Sequence, residues 1–361
     1  MSDSLALYDF SLPPERIAQH PAAPRDSARM MVVTRGQPGW RHQGFRDLPA
    51  LLPANSLLVV NDTRVAPVRL TARLPKGVPI EALLVESLGP GRWRALVKKG
   101  RRLKPGMVVP FAQGELSARA EHRTEQGDWV LAFETPDTFA ERLERLGLAP
   151  LPPYIHRDIH QGYDPAPDRE AYQTLFARNE GAIAAPTAAL HFTPPVLREL
   201  DARGLERVAL TLHVGLGTFQ PVKTSDPKMH TMHREWFQIS PTVARTILEA
   251  RSQGRPVVAI GTTTVRALES WAALGTPPGF SGWSHLFIQP PHDFLAVDAL
   301  LTNFHLPRST LLMLVSALHG RELLMAAYAE AVHQAYRFYS FGDCMLILPE
   351  ESRRTHASMA K

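Results

Sequence analysis

The chain has 361 residues, 44% apolar and 21% charged, with a formal net charge of +5 and a pI near 9.5. Its single cysteine, Cys344, excludes an intrachain disulfide and a multi-thiolate zinc site, and it fits a reducing compartment. The length suits two domains at roughly 100–200 residues each, the composition is that of a globular chain, and the mild basic excess suits an anionic partner without identifying one.

The first residues, MSDSLALYDF, carry acids and lack the basic start and apolar stretch of a signal peptide. The strongest apolar run, Leu311 to Leu318, is far shorter than the roughly 20 residues of a spanning helix. A cytoplasmic protein is expected. The segment up to about Leu58 is rich in proline and arginine and shows little periodicity. It contains RDSAR, with Arg25, Asp26 and Arg29. Directly after the apolar run LLVV comes NDTR, with Asn61, Asp62 and Arg64. Acids alternating with arginines are read first as internal salt bridges, and second as contacts to a polar ligand.

From Leu57 to about Phe133 the text reads as short β segments: LLVV, VRLTARL, IEALLVES, RWRALV, MVVPF and WVLAFE. Pro75, Gly77, Gly89-Pro90-Gly91, Gly100 and Pro105-Gly106 break them, a pattern of a barrel or sandwich. Within this stretch RWRALVKKGRRLK, from Arg92 to Lys104, has seven Lys or Arg among thirteen residues and no acid. Arg92, Arg94, Lys98, Lys99, Arg101, Arg102 and Lys104 could hold a nucleic-acid backbone by charge and counterion release, and Trp93 could stack on an unpaired base. The competing reading is a solvated rim that keeps an edge strand soluble.

Residues 135 to 170 hold a short helix candidate and then a proline-rich stretch, Ala149 to Arg157, taken as a linker. Helices and strands then alternate. Thr193 can cap a helix that starts at Pro194 and ends near Gly204, and Val208 to Val214 reads as a strand. Ser240 and Pro241 open a helix stopped by Gly254. Val257 to Ile260 is strand, Val265 to Leu274 helix, and Leu286 to Ile288 strand. Ser309 to Leu318 and Arg321 to Tyr336 are helices, and Cys344 to Leu348 closes the order as a strand. Such alternation argues for a sheet or barrel wrapped by helices. The expected architecture is a larger α/β, barrel-like domain, residues 1–64 and 150–361, interrupted by a smaller all-β barrel domain, residues 65–149. Insertions enter at surface loops, and the cleft between domains is the default site.

Several segments could carry chemistry. Gly261, Thr262, Thr263, Thr264 and Arg266 lie where a strand passes into a helix, and free amides with hydroxyls there suit a carboxylate or phosphate; the plainer reading is a helix cap. His213, Gly215, Gly217 and Thr218 follow a strand at its carboxyl end, where α/β sites cluster, or else form an ordinary glycine turn. Thr187 and His191 sit among small residues that leave room for a ligand, with His191 able to move protons near neutral pH. Asp298, Asn303, His305 and Arg308 crowd polar groups between an apolar run and a helix. His230 and His233 could share a helix face, but two histidines make no zinc site without a third ligand.

Taken together, YDFSLPPERIAQHPAAPRDSARMMV, LLVVNDTRVAPVRL, GAIAAPTAALHFT, TLHVGLGTFQPV, AIGTTTVRALES and DALLTNFHLPRSTLLMLVSAL resemble the S-adenosylmethionine:tRNA ribosyltransferase-isomerase family, as do PLPPYIHR, HREWF and YRFYSFGDCMLI. The matching segments run in order from Tyr8 to Ile347. Ala189 and Cys344 stand where the family pattern has glycine and alanine. The resemblance implies an α/β barrel domain with a smaller β-barrel domain. It also implies a transferase of queuosine biosynthesis that moves the ribosyl part of S-adenosylmethionine onto 7-aminomethyl-7-deazaguanine at the tRNA wobble position. The products would be epoxyqueuosine-tRNA, adenine and methionine. S-adenosylmethionine would be a consumed co-substrate, with no metal and no organic cofactor, and the protein a monomer.

On that implication the proton-transfer candidates are His191, His213 and His305, with Asp298 as orienter or alternative base. Arg266 and the amides of Gly261 to Thr264 suit the methionine carboxylate. Phe192, Phe219 or Trp236 would face adenine or the sulfonium. RDSAR, NDTR, Thr187, Gly215, Gly217, Thr218 and Asn303 complete the expected substrate contacts. Rival readings are an S-adenosylmethionine-dependent RNA methyltransferase, weakened by the lack of a glycine-rich loop after an early strand, a non-catalytic RNA-binding protein, and a sugar-phosphate enzyme.

Overall fold

The computed structural model describes residues 5–159, 163–215, 227, 230 and 232–350. The chain separates into two compact units, one made of Met1–Arg64 with Thr174–Lys361 and one of Val65–Gln173. The first opens with β1 (Arg29–Thr34), β2 (Arg41–Gly44), α1 (Leu48–Leu51), β3 (Leu57–Asn61) and β4 (Thr63–Val65), which runs to the boundary. The second holds β5 (Arg69–Leu74), β6 (Val78–Gly89), β7 (Arg92–Lys98), β8 (Val108–Phe111), β9 (Leu116–Arg123), β10 (Trp129–Phe133), α2 (Phe139–Leu146) and α3 (Ala166–Ala171). The first unit then resumes with β11 (Asn179–Ala182), α4 (Pro194–Ala202), β12 (Glu206–Leu212), β13 (Glu235–Ile239), α5 (Pro241–Ser252) and β14 (Val257–Ile260). It ends with α6 (Thr262–Ala273), β15 (Phe280–Ser284), β16 (Ala299–Asn303), α7 (Thr310–His319), α8 (Arg321–His333) and β17 (Cys344–Leu348).

The smaller unit is a closed six-stranded barrel, β10-β7-β6-β5-β8-β9. Its strands alternate inward apolar residues with outward polar ones: Leu116, Ala118 and Ala120 of β9 are buried while Arg119 is exposed. That is the period-two pattern of a sheet with one face in a core. The strand β9 was not anticipated, because LSARAEHR buries only leucine and alanine and carries charges between them. The return to the larger unit falls at Thr174 and not at residue 150. The proline-rich stretch stays with the barrel because Arg157 clamps Asp168 of α3 through Nε (2.8 Å) and Nη2 (3.0 Å), and Arg169 donates to the Gly147 carbonyl.

The larger unit is α/β, as expected, and its sheet has nine strands in the order β15-β13-β12-β3-β14-β16-β17-β1-β2. Among the described residues this order has two edges, so the sheet is open. Four neighbours, β12, β3, β14 and β16, run parallel. Their apolar runs are continuous (β3 and β16 are buried at every position) because both faces are covered. Leu58, Val60, Val258, Ile260, Ala299 and Leu301 share a core with Val196 and Leu200 of α4, and α6 packs along the same strands.

Several local expectations differ. Strands β1, β2, β13, β15 and β16 were not foreseen, and Leu286 to Ile288 is not a strand. His230 and His233 lie outside any helix, so they do not share a helix face. Thr193 sits at the N-terminus of α4, but its hydroxyl donates to Asp26 Oδ2 (2.6 Å) and not to the helix. Ser240 and Ser309 do cap α5 and α7, each accepting from the amide three residues on. Ala189 needs no glycine, since it lies in a short right-handed turn, Thr187–His191. Among the described residues no single helix is long and apolar enough to cross a membrane.

Candidate active site

Parallel strands place their carboxyl ends at one edge of the sheet, where neighbouring loops diverge and leave room for a ligand. Here that edge carries Asn61 to Thr63 after β3, His213 after β12, Gly261 to Thr264 after β14, and Asn303 at the end of β16. The cluster lies wholly within the larger unit.

Three consecutive side chains of NDTR do three different jobs. Asn61 extends the ladder between β3 and β12: its Nδ2 donates to the Leu212 carbonyl (2.9 Å) and its Oδ1 accepts from the Leu212 amide (3.0 Å). The same Nδ2 reaches Thr263 Oγ1 at 3.4 Å, tying the start of α6 to β3. Asp62 accepts from Asn179 Nδ2 at 3.1 Å and from Thr211 Oγ1 at 2.7 Å. Thr63 Oγ1 lies 2.8 Å from His213 Nδ1. All three are buried. Arg64, the third candidate of the motif, is 3.9 Å from Glu180.

The contact between Thr63 and Nδ1 bears on where His213 carries its proton. In the tautomer in which the Thr63 hydroxyl donates to the Asn179 carbonyl (3.4 Å) and accepts from Nδ1–H, Nε2 keeps a free lone pair. Burial lowers the His213 pKa below its usual value while the nearby Asp62 charge raises it; the ring is therefore neutral near pH 7. Trp236 stacks on the imidazole with centroids 5.0 Å apart and planes at 18°. A Cβ on Gly181 would come within 2.7 Å of Nε2, 2.8 Å of Cε1 and 2.9 Å of Cδ2, so only glycine lets the backbone there pack against the face of the imidazole.

Beside it, Glu235 and Arg266 form a buried ion pair through Oε2 and Nη1. Glu235 Oε1 also accepts from the Gly215 amide (3.1 Å), and Arg266 Nε donates to the Leu286 carbonyl (3.2 Å). Among the described residues Arg266 Nη2 is buried without a hydrogen-bond partner, and so is Asn303 Oδ1. Buried polar atoms are nearly always paired, so both mark places where a bound polar group would complete the structure. Thr262 and Thr263 are buried, Thr264 turns its hydroxyl back to the Ile260 carbonyl (2.8 Å), and Gly261 adopts φ +93° as the turn into α6. A Cβ on Gly261 would lie 3.7 Å from Ala188, so the segment with Thr187 runs alongside.

The other two candidate histidines, His191 and His305, are buried and hydrogen-bonded to their neighbours. His191 is buried, with Nε2 3.3 Å from Asn303 Nδ2 and a further hydrogen bond to the Arg25 backbone. Burial, helped by the Arg337 charge, lowers its pKa to about 4. His305 is bonded to Thr302 Oγ1 (2.8 Å), and burial lowers its pKa to about 3. The unfolded chain protonates both near 6.5. Their contribution to stability is therefore complete above that pH and is lost as pH falls toward 4 and 3. For His191 the loss is on the order of 3 kcal/mol. Urea unfolding between pH 7 and 4 should show stability falling, with a shallower fall in His191→Gln; an unchanged slope in that variant would contradict the neutral, buried assignment.

The remaining candidates divide plainly. Asp298 sits at the opposite edge of the sheet, before β16, where its carboxylate accepts from the Val257 amide (2.8 Å); it takes no part in the cluster. Phe192 packs in the core against Phe45 and Phe176. Asp26 is held by Arg46 (2.9 Å) and Thr193, which bolts the N-terminal segment to α4. Arg29 stacks over Tyr336 at 3.8 Å and donates to the Gln334 carbonyl, near the start of β1. Gly217, Thr218 and Phe219 lie outside the described residues. Glu235 was missed: in HREWF nothing local separates a buried carboxylate from a solvated one, and only its pairing with Arg266, 31 positions away, makes the difference. Among the described residues no group of three or more His, Cys, Asp or Glu is placed to hold a metal.

The family model described as queuosine biosynthesis protein matches residues 5–347. An S-adenosylmethionine:tRNA ribosyltransferase-isomerase of Heliobacterium modesticaldum is 48% identical over 347 residues, covering 95% of this chain and 99% of that relative. The enzyme of the same name from Symbiobacterium thermophilum is 50% identical over 346 residues, 95% of this chain and 99% of its own. Among solved structures, the S-adenosylmethionine tRNA ribosyltransferase of Thermotoga maritima matches with a TM-score of 0.55 at 38% identity, covering 95% of this chain and all of that one.

Proposed function

The chain belongs to the queuosine biosynthesis protein family of S-adenosylmethionine:tRNA ribosyltransferase-isomerases, and we propose that the cluster at the carboxyl edge of β3, β12, β14 and β16 is where it transfers and isomerises the ribosyl group. The acceptor is 7-aminomethyl-7-deazaguanine at the wobble position of tRNA, and the products are epoxyqueuosine-tRNA, adenine and methionine. S-adenosylmethionine is consumed as a substrate, and the reaction needs no metal and no organic cofactor. The protein works in the cytoplasm as a monomer.

The observation that carries this reading is the open Nε2 of His213 beside a buried arginine with an unpartnered Nη2. The sulfonium makes the adjacent ribose methylene acidic, and His213 Nε2 is the base that removes one of its protons. Adenine leaves and the sugar ring opens. The aminomethyl nitrogen of the tRNA base attacks, methionine departs, and the epoxide closes. Arg266 Nη2 suits the methionine carboxylate as a charge-assisted donor. The face of Trp236 away from His213 suits adenine or the sulfonium. Asn303 Oδ1 is an acceptor for a hydroxyl or amino group of either substrate. The buried setting supports the opened sugar by keeping water out.

Product analysis is the test. Purified protein with labelled S-adenosylmethionine and tRNA carrying the aminomethyl base should release adenine and methionine in equal amounts and leave the pentose on the RNA. S-adenosylhomocysteine and a methylated RNA would instead establish the methyltransferase reading.

A further inference from the structure

The barrel unit sorts its basic side chains into two classes. The first is neutralised. Arg92 grips Glu121 through both carboxylate oxygens, at 3.1 and 2.6 Å. Arg94 holds Glu86 at 2.9 Å and Asp128 at 2.6 Å. Arg69 holds Glu81 at 2.8 and 2.9 Å, which removes the acid that stands opposite Lys98 in the β6–β7 register. Trp93 is also engaged, packing 6.0 Å from Phe139. So three of the residues expected from sequence to meet RNA are committed to the barrel itself.

The second class is different. Lys98, Lys99, Arg101, Arg102 and Lys104 are all exposed, and they fall within seven consecutive positions. The acids next to them on the strands are already taken by Arg69, Arg92 and Arg94, so their charge stands uncompensated there; the turn before β10 adds Glu125 alone. These five side chains are displayed by a built loop. Lys99 adopts the left-handed conformation at φ +62°. A short turn, Gly100–Arg102, follows, closed by Arg102 N to the Lys99 carbonyl (3.1 Å) and Leu103 N to the Gly100 carbonyl (3.1 Å). Trp129 Nε1 donates to the Gly100 carbonyl at 3.0 Å, and a Cβ on Gly100 would meet the indole at 3.1 Å. Leu103 is buried as the second anchor. Beside the loop is an open groove of about 310 Å³ bounded by Lys99, Gly100, Arg101, Arg102 and, from the facing strand, Arg123.

We propose that the Lys98–Lys104 loop of the barrel is a docking surface for the phosphate backbone of the tRNA substrate, and that Arg92, Trp93 and Arg94 are not part of it. This rests on tRNA being the acceptor. A rim that only kept an edge strand soluble would need neither the Trp129 anchor nor the left-handed turn, and this barrel, being closed, has no edge to protect. A held turn loses less conformational freedom on binding than a free one, so its cations bind a polyanion more tightly than the same charges on a mobile segment. The loop carries no base-reading geometry, so it supplies affinity and salt dependence and not sequence choice.

The test uses the full chain and two variants of equal charge. In the first, Lys98, Lys99, Arg101, Arg102 and Lys104 are replaced by glutamine. In the second, the exposed Arg41, Arg198, Arg203, Arg245 and Arg251 of the larger unit are replaced likewise. Each takes the formal net charge from +5 to 0. Binding of tRNA carrying the aminomethyl base is measured from 50 to 300 mM salt. The loop variant should bind at least about tenfold more weakly at low salt, with a salt slope reduced by about 0.7–0.9 per lost phosphate contact. The control should keep both values. In turnover, the loop variant should show a raised KM for tRNA while its KM for S-adenosylmethionine and its kcat at saturating tRNA stay within twofold. The pair Arg101→Gln/Arg102→Gln should give an intermediate slope, and it serves if the fivefold variant folds poorly. Equal losses in both fivefold variants, or no loss in either, would overturn the proposal. Because binding is read separately from product release, a wild-type enzyme that bound tRNA through this loop yet released no adenine would count against the reaction and not against the surface.

Discussion

Replacing His213 by glutamine should slow single-turnover release of adenine by roughly 10²–10⁴, the range for a positioned general base, while leaving the fold intact. The expectation comes from proton bookkeeping at one side chain. With the Thr63 hydroxyl donating to the Asn179 carbonyl and accepting from Nδ1–H, Nε2 is left as the acceptor. Glutamine fills similar space and can still meet Thr63, but it has no basic nitrogen. The pH profile gives an independent sign. Burial depresses the His213 pKa against the opposing pull of Asp62, so the wild-type rate should hold below the usual imidazole value near 6.5 before falling on the acid side. In Asp62→Asn that raising charge is gone, and the acid limb should move to still lower pH. A glutamine variant within threefold of wild type, or an acid limb that stays put in Asp62→Asn, would take His213 out of the proton transfer.

The second large effect is on stability. Glu235→Ala should destabilise the larger unit by about 3–5 kcal/mol, because it strands a buried guanidinium. Arg266 is 5% exposed and Glu235 3% exposed, so water cannot rescue the charge left behind, and the Gly215 amide loses its acceptor as well. The paired replacement Glu235→Leu with Arg266→Met should recover most of that stability, since removing both charges removes the desolvation cost together with the attraction. It should not recover turnover, because the Nη2 donor is gone. Urea unfolding with adenine release on the same samples separates the two. A paired variant as unstable as Glu235→Ala would mean the ion pair is not the source of the effect, and one that turned over normally would remove Arg266 from the site.

Much of this was legible in the linear text wherever a physical rule acts locally. The runs LLVV, VVAI and CMLIL are continuous apolar strands because both faces of the sheet are covered there. Ser240 and Ser309 cap helices because a hydroxyl just before a helix meets a free amide. Strands β1, β13 and β16 escaped because HREWF, RMMVV and DALLTN carry charged or polar residues whose burial depends on distant neighbours. The candidate site was legible as a set of loops but not as roles. Spacing alone could not separate three histidines, and it drew in Asp298, which lies only five positions from Asn303 yet at the far edge of the sheet.

By itself the order of residues determined the two-part architecture, the family, and the loops in which polar chemistry collects, because those follow from local periodicity, turn residues and long shared motifs. Only the tertiary structure decided which groups are free to act. His191 has both ring nitrogens occupied, His213 keeps one open, and Arg92 and Arg94 are neutralised while Lys98 to Lys104 are not. Each of those outcomes depends on a partner brought in from far along the chain, and a side chain's protonation, charge and reach are set by what surrounds it in space.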